Sequence, residues 1–311
     1  VLLLKKLINT HTMIKLSGLT PAVFTPFDKT GAINLAQIQP YADKLVTDGA
    51  DGVFVCGSTG ECTSMTIAER KSVLEAWVNA TSGRMRVIAH VGGTCQADCI
   101  ELARHAAGLG VDAVGAIAPF YFKPASVGEL VAFYKPIAAA IAPIPFYSYH
   151  MPSVTGINLP MKEFLEKGSR EIPNLNGIKF TSNNFMEMLE CIRLEDGRFD
   201  ILNGFDEMLL CGMAVGARGG VGSTYNYSLP TYRNLYDAFL AGDIERARSF
   251  QQESADIVHI IIRHGGGVRG GKAIMNHLGI DCGDCRLPFA PYTESEMRQL
   301  SEELDRIGFA K

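Results

Sequence analysis

The sequence lacks a strong charge of either sign, and it lacks an apolar run long enough to cross a membrane. Its 311 residues carry a net charge of -4 with a pI of about 6.0, so nothing in its charge indicates a nucleic-acid or membrane surface as a partner. Residues 1–12, VLLLKKLINTHT, are apolar but too short and too interrupted to span a bilayer. Their lysines follow the leucines, which is the wrong order for a secretory signal. We therefore expect a cytoplasmic protein in which residues 1–12 form an extension without chemistry.

Clustered metal ligands are also missing from the sequence. The 7 histidines form no HExxH motif and no close pair, which argues against a metal centre. The 8 cysteines are spread through a long chain, which favours reduced thiols. Cys282 and Cys285 form a lone CxxC, and a zinc site would need two more ligands at a suitable spacing. The sequence therefore predicts chemistry with no metal and no cofactor.

What the sequence does contain is a regular alternation of strand-like and helix-like runs. Eight apolar runs are predicted to be strands, at residues 19–27, 52–57, 86–93, 112–120, 143–149, 175–180, 198–204 and 217–223. A helical pattern follows each run, and strands that alternate with helices form parallel sheets. Eight such units over roughly 230 residues match the size of a (β/α)8 TIM barrel.

Three further helical patterns follow the predicted barrel, near residues 243–264, 268–278 and 293–307. No linker-like break divides the chain, so residues 13–311 are interpreted as a single barrel domain with a C-terminal helical extension from about residue 243. Within the extension, GGVRGGKA (266–273) nearly matches a phosphate-binding loop. It lacks the Ser or Thr that would bind magnesium, and no strand precedes it, so we expect the start of a helix instead.

Small and polar residues recur at one end of the predicted barrel. Active sites of such barrels lie at the carboxyl ends of the strands. The residues found there are Ser58, Thr59, Tyr121, Tyr149, Lys179, Thr181, Gly204, Asp206, Glu207 and Ser223. Each one has an ordinary structural explanation, since Asp206, for example, could serve only to cap a helix. Their shared location on one face of the barrel is the stronger indication of a site.

Lys179 is the most informative of these residues. It lies in the predicted strand LNGIKF between Ile178 and Phe180, although lysine is seldom buried without a partner. An inward lysine would be partly desolvated, which lowers the pKa of the amine and favours Schiff-base formation with a carbonyl substrate. A lysine that points outward or pairs with a carboxylate is the structural alternative. With a tyrosine to shuttle protons and a hydroxyl-rich turn to hold a carboxylate, Lys179 indicates a ketoacid substrate.

Five motifs together carry a family resemblance. They are GSTGE at 57–61, YHMPSVTG at 149–156, GIKFT at 177–181, NGFDE at 203–207 and GGVGSTYN at 219–226. From about Gly18 to Gly308 the chain resembles the pyruvate-dependent class I aldolases of the dihydrodipicolinate synthase and N-acetylneuraminate lyase family. The resemblance implies that Lys179 forms the Schiff base and that Tyr149 shuttles the proton. It also implies that Ser58 and Thr59 bind the pyruvate carboxylate, and that Tyr121 is a catalytic residue placed near a neighbouring subunit's site. A homotetramer is a further implication of the resemblance.

Within the family, the details favour the sialic acid lyases. Dihydrodipicolinate synthases usually carry an arginine after the proline-serine of the fifth-strand loop, where this chain has Val154. The resemblance to lyases implies that the polyhydroxyl tail of a sugar acid contacts Thr181, Gly204, Asp206, Glu207 and Ser223. Carboxylates and hydroxyls are suitable hydrogen-bond partners for such a tail.

Two alternatives stay open at this point. The first is another pyruvate-dependent aldolase or dehydratase that acts on a different 2-keto-3-deoxy sugar acid. The second is a catalytically silent sugar-acid binding or regulatory protein on the same scaffold. The presence of both Lys179 and Tyr149 argues against the second alternative, since binding alone requires neither residue.

Overall fold

The computed structural model describes residues 15–309, so the predicted extension at residues 1–12 lies outside the described part of the chain. The strands are β1 (Gly18–Pro21), β2 (Gly52–Val55), β3 (Arg86–His90), β4 (Ala113–Ile117), β5 (Phe146–His150), β6 (Leu175–Phe180), β7 (Asp200–Asn203) and β8 (Gly219–Gly222). The α-helices are α1 (Ile38–Thr47), α2 (Ile67–Thr81), α3 (Gln96–Gly108), α4 (Val127–Ala139), α5 (Pro152–Thr155), α6 (Met161–Glu171), α7 (Phe185–Arg193), α8 (Leu209–Ala214), α9 (Tyr225–Leu240), α10 (Ile244–Arg263), α11 (Gly266–His277) and α12 (Glu294–Arg306). Short 3-10 helices lie at Leu35–Gln37, Cys62–Ser64, Leu194–Gly197 and Asp206–Met208.

The sheet closes on itself into a barrel. Its 8 strands follow the order β1-β8-β7-β6-β5-β4-β3-β2, and a parallel bridge between Ala22 and Phe54 joins the two ends. The neighbouring strands pair in parallel throughout this order. The predicted (β/α)8 TIM barrel is therefore confirmed, with α10, α11 and α12 following it as C-terminal helices. The assignment of residues 13–311 to one domain stays a prediction.

Apolar side chains fill the space on both sides of the sheet. Phe54, Ile88 and Leu202 belong to the cluster inside the barrel, whereas Trp77 and Phe164 belong to the cluster between the sheet and the helices. Strands that are buried on both faces lose the alternation of apolar and polar residues. This is why the strands are visible in the sequence as continuous apolar runs such as GVFV.

Several strands are shorter than predicted. The first ends at Pro21 instead of residue 27, because the apolar run continues as a buried loop in which Phe24 and Phe27 are 0% and 1% exposed. An apolar run by itself does not distinguish a strand from a buried loop. The short helix α5 was not predicted.

The near-match to a phosphate-binding loop begins helix α11, as predicted. The lysine of this segment, Lys272, is 1% exposed and its Nζ atom lies 2.6 Å from a carboxylate oxygen of Glu61. The ion pair with Glu61 therefore explains why Lys272 is buried, and no bound phosphate is needed to explain it. Across residues 15–309, no helix combines the length and the apolar character needed to cross a membrane.

Candidate active site

One cavity at the carboxyl ends of the strands brings the predicted site residues together. Its volume is about 330 Å³. Every predicted site residue except Tyr121 lines it, namely Ser58, Thr59, Tyr149, Lys179, Thr181, Gly204, Asp206, Glu207 and Ser223. These residues lie on or just after β2, β5, β6, β7 and β8, and a closed parallel barrel places the carboxyl ends of its strands around one opening.

The register of two strands explains why Lys179 and Tyr149 meet. Lys179 on β6 pairs directly with Tyr149 on β5, and directly paired residues point to the same side of a sheet. Lys179 is 5% exposed. Its Nζ atom lies 4.1 Å from the ring centre of Tyr149 and 4.4 Å from that of Phe54. The lysine therefore points into the barrel, between two aromatic rings.

The environment of Lys179 favours a neutral amine. Within residues 15–309 its Nζ atom makes no hydrogen bond and no ion pair. Burial lowers the pKa of the amine to about 7, and the nearby Asp206 carboxylate opposes this shift. A large fraction of the amine is therefore unprotonated near neutral pH, which is the form that attacks a carbonyl carbon.

Tyr149 is held by contacts on several sides. Its ring lies 5.9 Å from that of Phe54 and 6.0 Å from that of His90, both edge-on. Its hydroxyl donates a hydrogen bond to the Sδ atom of Met151 at 3.1 Å. Burial raises the pKa of the phenol to about 12, so it stays protonated at neutral pH. The hydroxyl is thus a proton donor that can also accept a proton if it passes its own proton on.

The turn that carries Ser58 and Thr59 begins and ends with an unusual backbone conformation. Cys56 has φ of 58° and Glu61 has φ of 53°, a region that residues other than glycine seldom adopt. His90 holds the beginning of the turn. Its Nε2 atom accepts a hydrogen bond from the backbone N–H of Ile117 at 3.1 Å, so its Nδ1–H donates to the carbonyl oxygen of Cys56 at 2.8 Å. Burial keeps the pKa of His90 well below its usual value, which preserves this neutral form.

Glu61 holds the end of the same turn. Besides its ion pair with Lys272 on α11, its carboxylate accepts a hydrogen bond from the backbone N–H of Arg286 at 2.9 Å. Both side chains of the ion pair are almost fully buried, and a buried pair of this kind is costly to break from one side. The hydroxyl-rich turn is therefore connected directly to the C-terminal helices.

Asp206 lines the cavity and keeps one carboxylate oxygen unpaired. Its Oδ2 atom accepts hydrogen bonds from the backbone N–H and the hydroxyl of Thr224, at 2.8 and 2.7 Å. Its Oδ1 atom is buried and has no hydrogen-bond partner among residues 15–309. A Cβ atom at Gly222 would lie 1.5 Å from Oδ1, so only glycine fits beside this carboxylate. Burial, together with the charge of Glu207, raises the pKa of Asp206 to about 7.

Thr181 is a second polar residue of the cavity. Its hydroxyl oxygen is buried and meets no partner at full hydrogen-bond geometry within the described residues, but it lies near the Tyr149 hydroxyl and opposes the rise in the pKa of that phenol. A Cβ atom at Gly204 would lie 2.0 Å from this oxygen, so a side chain there would displace the threonine. Both Asp206 and Thr181 line the cavity, and carboxylate and hydroxyl groups are suitable hydrogen-bond partners for a ligand rich in hydroxyl groups.

Part of the cavity wall was not predicted from the sequence. Its remaining lining residues are Met151, Phe205, Val221, Gly222, Thr224, Val258, Ile261, Ile262, Gly267 and Val268. Five of these come from α10 and α11, which lie far along the chain from the barrel loops. They are apolar or glycine and carry no chemical signature. The only signal was the spacing of the α10 residues at i, i+3 and i+4, which is also the spacing of an ordinary core face.

Tyr121 does not enter the cavity of its own chain. Its side chain is 76% exposed and lies next to Phe122, which is 86% exposed, with the ring centres 5.0 Å apart. Its predicted catalytic role stays a prediction.

The cysteine pair in the C-terminal loop consists of free thiols. Burial raises the pKa of both Cys282 and Cys285 to about 12. In the described part of the chain, no group of three or more His, Cys, Asp or Glu residues is arranged to hold a metal ion.

Comparisons with known proteins identify the family of the chain. Residues 15–307 match the dihydrodipicolinate synthetase family. The chain is 37% identical over 297 residues to N-acetylneuraminate lyase of Gallus gallus, covering 94% of this chain and 96% of that protein. Two solved structures are similar throughout. The N-acetylneuraminate lyase of Aliivibrio salmonicida has a TM-score of 0.93 at 39% identity, covering 96% of this chain and 99% of that one. The N-acetylneuraminate lyase of Proteus mirabilis has a TM-score of 0.92 at 38% identity, covering 95% and 100%. The resemblance found in the five motifs is thus confirmed, and the chain belongs to the dihydrodipicolinate synthetase family.

Proposed function

We propose that this protein is a class I aldolase that cleaves N-acetylneuraminate into N-acetylmannosamine and pyruvate. The observation that carries the proposal is a buried lysine with no ionic partner, Lys179, placed beside Tyr149 in a cavity with a hydroxyl-rich wall. The similarity to N-acetylneuraminate lyases over most of the chain supports this choice of substrate.

The bond-breaking step follows from the chemistry of the lysine. The neutral amine of Lys179 attacks the C2 ketone of the open-chain sugar acid, and loss of water gives an iminium ion. This cation accepts the electron pair of the C3–C4 bond as the bond breaks. The C4 hydroxyl loses its proton at the same time, and N-acetylmannosamine leaves as an aldehyde. Protonation of the enamine at C3 and addition of water then release pyruvate and restore the amine.

Tyr149 is the group placed to move the C4 proton. Since its phenol is protonated at neutral pH, it acts as a relay that receives one proton as it releases another, with the substrate carboxylate as the second partner. Ser58 and Thr59 belong to the constrained turn and line the cavity. They hold this carboxylate through hydroxyl and backbone N–H groups.

The side of the cavity that carries carboxylates and hydroxyls holds the sugar tail. Asp206, Thr181, Glu207 and Ser223 line the same side of the cavity, and their carboxylates and hydroxyls are suitable partners for hydroxyl groups. Among the cavity residues of the described chain, Lys179 is the only one with a basic side chain. A product with a second carboxylate would therefore be buried without a cation, which is costly. This argues against a reaction of pyruvate with aspartate semialdehyde, because the product of that reaction carries two carboxylates.

The protein acts as a homotetramer in which Tyr121 serves the site of a neighbouring subunit. Tyr121 and Phe122 together expose two large aromatic side chains, and aromatic residues are enriched in protein interfaces. Light scattering tests the assembly, and a monomer with full activity would contradict it.

The choice of substrate is tested by comparing cleavage of N-acetylneuraminate with cleavage of a six-carbon 2-keto-3-deoxy acid. We expect a higher kcat/KM for N-acetylneuraminate, because contacts with the tail position the reacting carbons. Glu207→Ala should lower kcat/KM for the long substrate by roughly 10- to 100-fold, the size of a lost hydrogen bond to a charged group. Adduct formation with pyruvate alone should be nearly unchanged.

Glu190→Ala on the exposed surface of α7 is the matched control, because it removes the same charge outside the cavity. If the six-carbon acid is cleaved with the higher kcat/KM, the substrate assignment is wrong, while the aldolase chemistry of Lys179 is not affected.

The lowered pKa of Lys179 predicts a specific pH dependence. The protonated amine cannot attack pyruvate, so the rate of adduct formation should rise with pH through about 7 and then level off. The Asp206 carboxylate raises this pKa, so Asp206→Asn should move the midpoint to lower pH. Trapping with cyanoborohydride over a pH series measures both midpoints. A rate that continues to rise toward the pKa of an ordinary lysine, about 10.4, would show that burial does not control the amine.

A further inference from the structure

A buried ion pair behind the hydroxyl-rich turn joins the barrel to the C-terminal helices, and the proposed reaction gives it no direct use. Glu61 on the turn and Lys272 on α11 are 3% and 1% exposed, and their charged atoms lie 2.6 Å apart. Neither residue lines the cavity. Taking two charges out of water is costly, and an apolar pair of similar volume is often just as stable. Stability alone is therefore a weak explanation for this pair.

The amine of Lys272 is held in one place by its surroundings. Its Nζ atom lies 4.0 Å from the ring centre of Phe27 and donates a hydrogen bond to the carbonyl oxygen of Asp284 at 3.2 Å. The backbone beside it is fixed as well, because a Cβ atom at Gly271 would lie only 2.4 Å from a neighbouring aromatic ring. Glu61 therefore meets a cation whose position is set by helix α11 and the loop that follows it.

The position of Glu61 in turn sets the position of the residues that are proposed to hold the substrate carboxylate. The backbone N–H of Glu61 donates a hydrogen bond to the carbonyl oxygen of Ser58 at 3.0 Å, which closes the turn around Thr59. Glu61 has φ of 53°, a value that residues other than glycine seldom adopt, so contacts outside the turn have to hold it there. The amine of Lys272 and the backbone N–H of Arg286 supply these contacts, one at each carboxylate oxygen.

We propose that Lys272 is a positioning residue for the substrate carboxylate, which acts through Glu61 on the hydroxyl and backbone N–H groups of Ser58 and Thr59. This inference rests on the proposed function, in which that turn binds the carboxylate. Donors that shift by about 1 Å can cost on the order of 10²-fold in rate, because the reacting atoms are then misplaced. Through the ion pair, helix α11 contributes to the site without touching the substrate.

The experiment compares pyruvate with acetone, a methyl ketone that lacks the carboxylate. Both ketones condense with the amine of Lys179 with loss of water, and hydride from cyanoborohydride converts the iminium ion into a stable amine that is quantified on the Lys179 peptide. Lys272→Met should lower the rate constant for trapping pyruvate by about 10-fold or more relative to that for acetone. This ratio does not depend on the folded fraction, because both ketones are measured on the same preparation.

A double variant separates the loss of the ion pair from the cost of an unpaired buried charge. Lys272→Met alone leaves Glu61 buried without its cation, which is strongly destabilising. When Glu61→Gln is combined with Lys272→Met, both charges are absent, and the amide oxygen of glutamine can still accept the N–H of Arg286. The melting temperature should therefore lie above that of Lys272→Met, whereas the ratio of pyruvate to acetone trapping should stay low.

Tyr147→Phe is the matched control for lost stability. It removes a buried hydroxyl that donates a hydrogen bond to Asp200 at 2.8 Å, and Asp200 begins β7 at the end of the barrel opposite the cavity. The melting temperature of this variant should fall, while its ratio of pyruvate to acetone trapping should match that of the wild-type protein.

Two outcomes would contradict the positioning role while the proposed function stands. One is a wild-type trapping ratio in the double variant, and the other is an equal loss of the ratio in Tyr147→Phe. If wild-type protein traps neither ketone on Lys179, the proposed function is wrong and the positioning role of Lys272 is rejected with it.

Discussion

Replacing Lys179 should abolish both the pyruvate adduct and all measurable turnover. Lys179→Arg keeps a charge but not a nucleophile, because a guanidinium stays protonated. Lys179→Met keeps a similar length and apolar stem between the rings of Phe54 and Tyr149, but no amine. We expect turnover to fall below detection in both variants, a larger loss than the roughly 10²–10⁴-fold typical of removing a proton-transfer group.

The adduct is measured by incubation with pyruvate and borohydride, followed by mapping of the modified peptide. Lys179→Met is the variant that separates chemistry from folding, since it places no charge in the barrel and the wild-type Nζ atom has no hydrogen bond to lose within residues 15–309. Lys135→Met is the control, because Lys135 pairs with Glu171 on the surface. An adduct mapped to any other lysine would overturn the assignment of Lys179.

Removing the hydroxyl of Tyr149 should separate Schiff-base formation from bond cleavage. In Tyr149→Phe, turnover should drop by about 10²–10⁴-fold, the usual contribution of a positioned proton-transfer group. The pyruvate adduct should still form, though more slowly, because the amine and its apolar surroundings are retained. The free energy of unfolding should fall by no more than about 0.5–1.5 kcal/mol, the net contribution of one hydrogen bond.

Steady-state kinetics and borohydride trapping on the same preparation measure the two effects. Tyr236→Phe is the matched control, because it removes a buried hydroxyl that donates to the carbonyl oxygen of Arg218, outside the cavity. That variant should lose stability of the same order and keep its activity. Near-normal turnover in Tyr149→Phe would assign the proton transfer to another group.

The sequence was informative about Lys179 and Asp206 to different degrees. A lysine within an apolar run was visible as an anomaly, and the alternation of strands and helices placed it at the correct end of a barrel. For Asp206, the sequence did not exclude a helix cap. In the structure the Asp206 carboxylate instead accepts two hydrogen bonds from Thr224 and keeps its other oxygen unpaired. Whether Asp206 caps a helix or belongs to the site depends on contacts between segments that are not adjacent in the chain.

The sequence by itself determined the barrel and the strand that each polar residue follows, because apolar runs, glycines and helix periodicity are local properties of the chain. Only the tertiary structure decided that Lys179 lies between Phe54 and Tyr149, that Tyr121 lies outside its own cavity and that α10 and α11 supply an apolar wall. Burial and pKa depend on which atoms surround a side chain, and these atoms come from parts of the chain that only folding brings together.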